Sequence, residues 1–278
     1  IELTAERAFG RQLAARLNLP EREVRTVATL LKKHGLITLD AAGMCLTPAA
    51  ESVLPMARRF SRDLKGLTRL ETALAEQLGV DKVCVAAGNA DTDPHVLGEV
   101  GRIAGTRLRG FLQTGCTLAV TGGSTIREVA FAVPQGTPMN VMVVPARGGM
   151  GGALETQANT LACEIARRLG GHHRMMHLPD HLDEQALQEM RKLIEIDETL
   201  ALLERADVVL HGVGRADDMT QRRQLPGPVS AEVLRKGAVA EAYGCYFDRR
   251  GRLVYSASTV AHNLGALKPD CAMIAVAA

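Results

Sequence analysis

Apolar residues in the first sixty positions recur with a helical period. Leu13, Ala14 and Leu17 share one face of a helix predicted over residues 7–17. Asn18-Leu19-Pro20 interrupts it. Pro20 suits the first turn of a second helix, and Glu21 and Glu23 suit its positive end. That helix runs to about His34, with Val24, Val27, Ala28, Leu30 and Leu31 apolar, and Gly35 caps it. Two short strands, 36–39 and 44–46, flank Asp40-Ala41-Ala42-Gly43 as a hairpin. Thr47 as N-cap and Pro48 as first helical residue start another helix. Helix, turn, helix and hairpin is the order of a winged helix-turn-helix, whose second helix enters the DNA major groove. Its outward face offers Arg22, Arg25, Thr26, Thr29, Lys32 and Lys33. Arginine reads guanine edges, threonine meets bases or phosphates, and lysine sits on phosphates. A solvated helix face carries such residues too; the appended hairpin and the local charge favour DNA.

Leu67, Leu70, Leu74 and Leu78 continue at helical spacing. This predicts a connecting helix that packs on the next domain or pairs with its copy in a symmetric dimer. From Lys82 the pattern alternates. Strands are predicted at 83–86, 117–120, 139–144, 206–211 and 273–276, with a hairpin at 243–247 and 253–256. Helices are predicted at 96–112, 126–132, 154–169 and 183–204. The alternation predicts a mostly parallel sheet with helices on both faces. The expected division is residues 1–66 for DNA binding and 67–278 for an effector-binding and oligomerisation domain.

The glycines gather where such sheets bind ligands, beyond the strands' carboxyl ends. Thr121-Gly122-Gly123-Ser124-Thr125 joins a strand to a helix. Such a turn aims unpaired backbone N–H groups at one spot and makes a cradle for an anion. Ala146-Arg147-Gly148-Gly149-Met150-Gly151-Gly152 and Gly212-Val213-Gly214-Arg215 are expected to converge on the same crevice. Arg147 offers a planar fork for a second phosphate or for sugar oxygens, and Gln157 and Asn159 offer hydroxyl partners. Neither G-x-x-x-x-G-K-[ST] nor G-x-G-x-x-G occurs, which argues for a small phosphorylated ligand over a nucleotide. Other constellations carry less. His173, His177 and His181, with His172 beside them, step about 7 Å each along a strand, too far apart for one zinc ion. Ser124 has no histidine nearby in sequence to activate it. Asp217, Asp218, Glu241 and Asp248 include possible bases that solvated turns would equally explain.

Composition narrows the setting. There is no Trp and only 3% aromatic residues, so the core must be aliphatic. No apolar run reaches the ~18 residues of a membrane span, and residues 1–4 show no signal-peptide pattern. The six cysteines are scattered without a C-x-x-C pair, as in a cytoplasmic protein with reduced thiols. Residues 1–66 carry eleven Lys/Arg against seven Asp/Glu, and the rest twenty-two against twenty-four. A basic head on a slightly acidic body suits a polyanion at the head.

Six motifs occur in order: 120–125 (VTGGST), 145–149 (PARGG), 157–160 (QANT), 211–214 (HGVG), 221–223 (QRR) and 241–244 (EAYG). Together they resemble the SorC-type sugar-responsive repressors, over almost the whole chain. The resemblance implies a winged-helix domain followed by an effector domain of the sugar-phosphate isomerase and deaminase type. It implies a cytoplasmic, oligomeric repressor (dimer or tetramer) of carbohydrate-metabolism genes, without cofactor, metal or membrane partner, and not an enzyme. The effector so implied is a sugar phosphate, most simply fructose-1,6-bisphosphate. The implied contacts are Gly122, Gly123, Ser124, Thr125, Arg147, Gln157, Arg222, Arg223 and Glu241, with Ser124 where Thr is more usual. In the family a further helix precedes the position of Ile1, and a loop bearing Ser and Lys follows the last strand. Two alternatives stay open on the residues alone. One is a sugar-phosphate isomerase or deaminase with Glu241 as base. The other is a sugar-phosphate sensor that meets a protein instead of DNA.

Overall fold

The structure, a computed structural model, describes residues 9–17, 19–40, 43–149, 153–179, 182–256 and 267–278. The chain forms two compact units, Ile1–Ala87 and Gly88–Ala278.

The first unit holds α1 (Gly10–Leu17), α2 (Glu21–Lys33), β1 (Ile37–Asp40), β2 (Gly43–Leu46), α3 (Pro48–Leu64) and α4 (Leu67–Leu78). Leu13 and Ala14 meet Val24, Ala28, Ile37 and Met44 in a small core. Gly35 adopts the left-handed φ of +68° that ends α2. Thr47 Oγ1 accepts from Ala50 N–H at 3.2 Å and donates to the Gly35 carbonyl at 2.7 Å, fixing α3 to the end of α2. β1 and β2 pair antiparallel from Ile37 opposite Leu46 to Asp40 opposite Gly43. Pro20 stands just before α2 with an extended ψ of 137°, not in its first turn. Residues 7, 8 and 18 and the hairpin tip 41–42 lie outside the described residues. The strand expected at 83–86 does not form. The Val85 N–H donates to Glu71 Oε1 at 2.6 Å and its carbonyl accepts from Arg62 Nη1 at 2.9 Å. Helix side chains satisfy that backbone in place of a ladder.

The second unit opens with α5 (Pro94–Phe111), capped by Asp93. Then come β3 (Thr117–Val120), α6 (Ser124–Ala132), β4 (Met142–Pro145), α7 (Ala158–Leu169) and β5 (His172–His173). α8 (Glu184–Met190), α9 (Ile194–Glu204), β6 (Val208–Arg215), α10 (Ala216–Arg222) and α11 (Gly227–Arg235) follow. β7 (Ala238–Ala242), β8 (Cys245–Asp248), β9 (Leu253–Ser256) and β10 (Ala272–Ala277) complete it. The sheet runs β5-β4-β3-β6-β7-β8-β9, with β10 beside β6. β5, β4, β3, β6 and β10 are parallel, and β7 to β9 join antiparallel. Alternate strand residues face opposite layers. Leu118, Val120 and Leu210 pack with Ile126, Val129, Leu161 and Ile165 of α6 and α7. Ala119, Val144 and Val209 pack with Ile196, Leu200 and Leu203 of α9.

In this unit four element readings need correction. The helix expected at 154–169 is a 3₁₀ turn (Leu154–Thr156) and α7, separated by extended backbone at Gln157. The helix expected at 183–204 breaks at Leu193, whose ψ is 121°, and only then does α9 turn its apolar residues onto the sheet. The third glycine-rich stretch is strand, not loop. β6 continues through Gly212, Val213 and Gly214 because the unforeseen β7 pairs with Val213, Gly214 and Arg215. Tyr243, expected to open a strand, instead turns the chain between β7 and β8 with φ +57°.

Candidate functional site

A crevice opens where one edge of β6 changes partner. Along that edge β3 pairs with Val208 to Leu210, and Thr121 N–H still reaches the Leu210 carbonyl at 3.0 Å. β3 then turns away, and β7 takes over the edge at Val213. β10 holds the opposite edge from Val208 to Val213. The space between the diverging strands, about 660 Å³, is the size of a small-ligand site. Gly122, Gly123, Ser124, Thr125, Arg147, Gln157, Arg222, Arg223 and Glu241 all line it.

The first wall is the start of α6. A Cβ on Gly122 would stand 2.5 Å from the Thr156 carbonyl oxygen, so the loop lies against the chain entering α7 only as glycine. Gly123 has φ +121° and donates its N–H to that same carbonyl at 2.9 Å. The Gly123 amide is therefore spent on the scaffold, a correction to the expectation that amides 122–125 all face an anion. The cradle rests on the first turn of α6, at Ser124 and Thr125, where the N-cap Gly123 brings no side chain. The positive end of the helix dipole faces the same space. At the rim Arg222 Nη1 donates to Ser124 Oγ at 3.3 Å while its Nε reaches Asp218 at 2.8 Å.

Arg147, Arg223 and Glu241 form the other wall, each nearly sealed from water. Arg147 enters from the end of β4, Arg223 from the end of α10 and Glu241 from β7. Glu241 Oε1 accepts from Arg223 Nη2 at 2.6 Å and from Gly244 N–H at 2.5 Å, and lies 3.5 Å from Arg147 Nη1. Two guanidiniums on one carboxylate oxygen make a dense array of donors, since each carries five N–H groups. Tyr243 lines this wall too, its ring edge-on to His211 at 6.0 Å between centroids. Burial pushes the Tyr243 phenol above its ordinary pKa and the His211 imidazole below its own, so both are neutral there.

Other expected groups serve the scaffold. Asn159 is closed into a pair with the Met176 backbone, at 2.8 and 3.1 Å, and does not line the crevice. A Cβ on Gly148 would meet the Pro179 carbonyl at 2.5 Å, and Gly149 N–H donates to Leu178 O at 2.7 Å. Those glycines dock two chain segments; 150–152 lie outside the described residues. Of the expected carboxylates, Asp217 and Asp218 do line the crevice, paired with Arg215 at 2.6 Å and Arg222 at 2.8 Å, while Asp248 pairs with Arg252 at 2.7 Å. Among the described residues no cluster of His, Cys, Asp and Glu could hold a metal ion; His181 is not one of them. Thr121, Asp91 and Met219 line the crevice without having been singled out as contacts. Thr121 lay within the highlighted loop, whereas Asp91 carries no local signal.

The comparisons bear on both units. A family model described as "Putative sugar-binding domain" matches residues 62–278, and one described as "CggR N-terminal DNA binding domain" matches residues 4–60. The Central glycolytic genes regulator of Priestia megaterium is 36% identical over 96% of this chain and 79% of its own length. That of Bacillus subtilis is 32% identical over the same shares. A solved SorC family transcriptional regulator from Enterococcus faecalis is 31% identical, with a TM-score of 0.69 over 75% of this chain and 86% of its own. The chain belongs to the SorC family of transcription regulators. The full-length sorbitol operon regulator of Klebsiella pneumoniae, at 17% identity, shares the fold over 96% of this chain with a TM-score of 0.67.

As a SorC-family DNA-binding regulator, the chain presents α2 to solvent with Arg22, Arg25, Thr26, Thr29, Lys32 and Lys33 all exposed. Thr26 and Thr29 hydroxyls donate to the Arg22 and Arg25 carbonyls, and Arg25 pairs with Glu21 at 2.9 Å. Val27 and Leu30, counted among the apolar positions of this helix, are each 54% exposed. Among the described residues no helix is long and apolar enough to cross a membrane.

Proposed function

We propose that this regulator is a repressor whose grip on operator DNA through α2 loosens when a phosphorylated sugar enters the crevice. The supporting observation is the facing of two anion-seeking walls. One is the uncapped first turn of α6; the other is the pair of buried guanidiniums on Glu241. A phosphate on the Ser124 and Thr125 amides gains the helix dipole and the Arg222 side chain at the rim. A second phosphate reaches Arg147 and Arg223, while the Gln157 amide donates to or accepts from sugar hydroxyls and the Glu241 carboxylate accepts from them. Two phosphates on a hexose-sized spacer make fructose-1,6-bisphosphate the effector of choice. The names of the two curated relatives point to glycolytic genes as the regulated set.

The protein acts by binding, not turnover. Its working form is a homo-oligomer, dimer or tetramer, suited to two-fold operator sites. Ligand shifts the population of quaternary states, and a coupling of about 1–3 kcal/mol changes operator affinity roughly 5- to 150-fold. The test is a fluorescence-polarisation titration of labelled operator with fructose-1,6-bisphosphate. Wild type releases DNA; Arg147→Ala and Thr125→Val bind DNA and do not respond. Normal release by both variants refutes the site assignment. Steady turnover of hexose phosphates refutes the reading as a pure sensor.

A further inference from the structure

Tyr246 on β8 has no exposed surface, and among the described residues its hydroxyl has no hydrogen-bond partner. A hydroxyl cut off from water and left unpaired is rare in folded proteins and calls for a cause. The β7–β8 register sets Tyr246 directly opposite Glu241. Opposed residues of an antiparallel pair leave the same face of the sheet with Cβ atoms about 5 Å apart. The phenol therefore stands beside the Arg147–Arg223–Glu241 cluster, but behind it. It does not line the crevice and packs with Ala216, Met219, Leu225 and Val233 beneath α10 and α11. Arg223 ends α10, so one helix end both delivers the guanidinium and covers the phenol. Burial pushes the Tyr246 pKa up to about 12 against the pull of Arg223, which keeps the hydroxyl a neutral donor.

We propose that Tyr246 is a positioning residue for the effector: its hydroxyl donates to the Glu241 carboxylate once a phosphate in the crevice draws Arg223 away. This rests on the crevice reading above and adds a residue to it. Glu241 Oε1 now holds Arg223 at 2.6 Å and Gly244 N–H at 2.5 Å. A phosphate that competes for Arg223 leaves a buried carboxylate with fewer donors and beside a second anion, an unfavourable state. Released from Arg223, the Glu241 side chain shifts toward the phenol, whose O–H then replaces the lost donor. The free form then carries the unsatisfied hydroxyl and the bound form satisfies it. The difference favours binding and ties the anion's arrival to the seating of α10.

Calorimetric titration of the full chain with fructose-1,6-bisphosphate tests this, alongside ligand-free melting. Tyr246→Phe is expected to melt no lower than wild type without ligand, because the atom it removes has no partner. Its affinity for the bisphosphate is expected to fall roughly tenfold, the worth of a hydrogen bond to a charged group. In a Glu241→Gln background the same change is expected to cost little further affinity, which separates a paired role from general loosening. Equal affinity of Tyr246→Phe and wild type overturns the proposal and leaves the crevice reading standing. So does a Tyr246→Phe protein that melts well below wild type without ligand, since its hydroxyl is then already paired. A wild-type chain that binds no bisphosphate, or whose binding survives Arg147→Ala undiminished, overturns both.

Discussion

Arg223 and Glu241 meet at 2.6 Å with both side chains withdrawn from water, one delivered by a helix end and the other by a strand. Removing one member of a buried pair strands the other. Arg223→Ala is expected to lower unfolding stability by about 3 kcal/mol. Glu241→Gln keeps the shape and removes the charge, and is expected to bind inorganic phosphate more tightly than wild type. Urea unfolding and phosphate calorimetry read the two effects. An Arg223→Ala protein of wild-type stability contradicts the account.

Gly122→Ala tests the close approach to α7. The new Cβ would fall 2.5 Å from the Thr156 carbonyl, a backbone atom that cannot swing aside. A loss of about 1–3 kcal/mol is expected, together with weaker effector binding. Gly110→Ala is the control: it lies in α5 with open space around it and is expected to be neutral or to stabilise by up to about 1 kcal/mol.

The proposed docking of α2 on DNA carries its own test. Arg25 is held by Glu21 in an exposed pair, which operator DNA would have to break under the proposed docking of α2. Glu21→Ala is expected to tighten operator binding, by freeing Arg25 and removing a negative charge near the duplex. Lys33→Ala is expected to weaken binding to all sequences alike and to flatten the dependence of log affinity on log salt by about one unit. An unchanged slope places Lys33 off the phosphates.

His211 makes stability depend on pH. Burial lowers its folded pKa below the ordinary value, against the Gly212 carbonyl and Glu241, which pull the other way. The unfolded chain binds a proton near pH ~6.5, while the folded ring stays neutral to lower pH. The neutral ring's contribution is complete above that value and drains as pH falls toward the folded pKa. The urea midpoint is expected to fall as pH drops below the free-imidazole value of about 6.5, and His211→Gln to flatten that fall. A variant with the wild-type slope assigns the effect to other groups.

Much of this architecture is legible in the chain. α2 is bounded by an acidic first turn and Gly35, and α3 by Thr47-Pro48; local chemistry decides such ends. The Gly122–Thr125 turn and Arg147 stand out because a parallel sheet puts its ligand crevice past the strand ends. Arg222 and Arg223 are different. They end a seven-residue helix and look like any solvated arginines, so only the ordered motifs mark them. Burial of Arg223 depends on pairing with Glu241 across 18 residues, which no spacing rule encodes. β7 escaped notice because Ala-Val-Ala-Glu-Ala has little strand propensity; its place at the edge of β6 makes it a strand. The reverse happened at 83–86. Val83 and Val85 suit a strand, but Glu71 and Arg62 hold the Val85 backbone.

The central claim is that the first turn of α6 receives a phosphate. A crystal structure of the chain grown with fructose-1,6-bisphosphate tests it most directly. The account predicts one phosphate within hydrogen-bonding distance of the Ser124 and Thr125 amides and the other beside Arg147 or Arg223. A ligand bound elsewhere on the second unit, with those two amides facing only water, contradicts it.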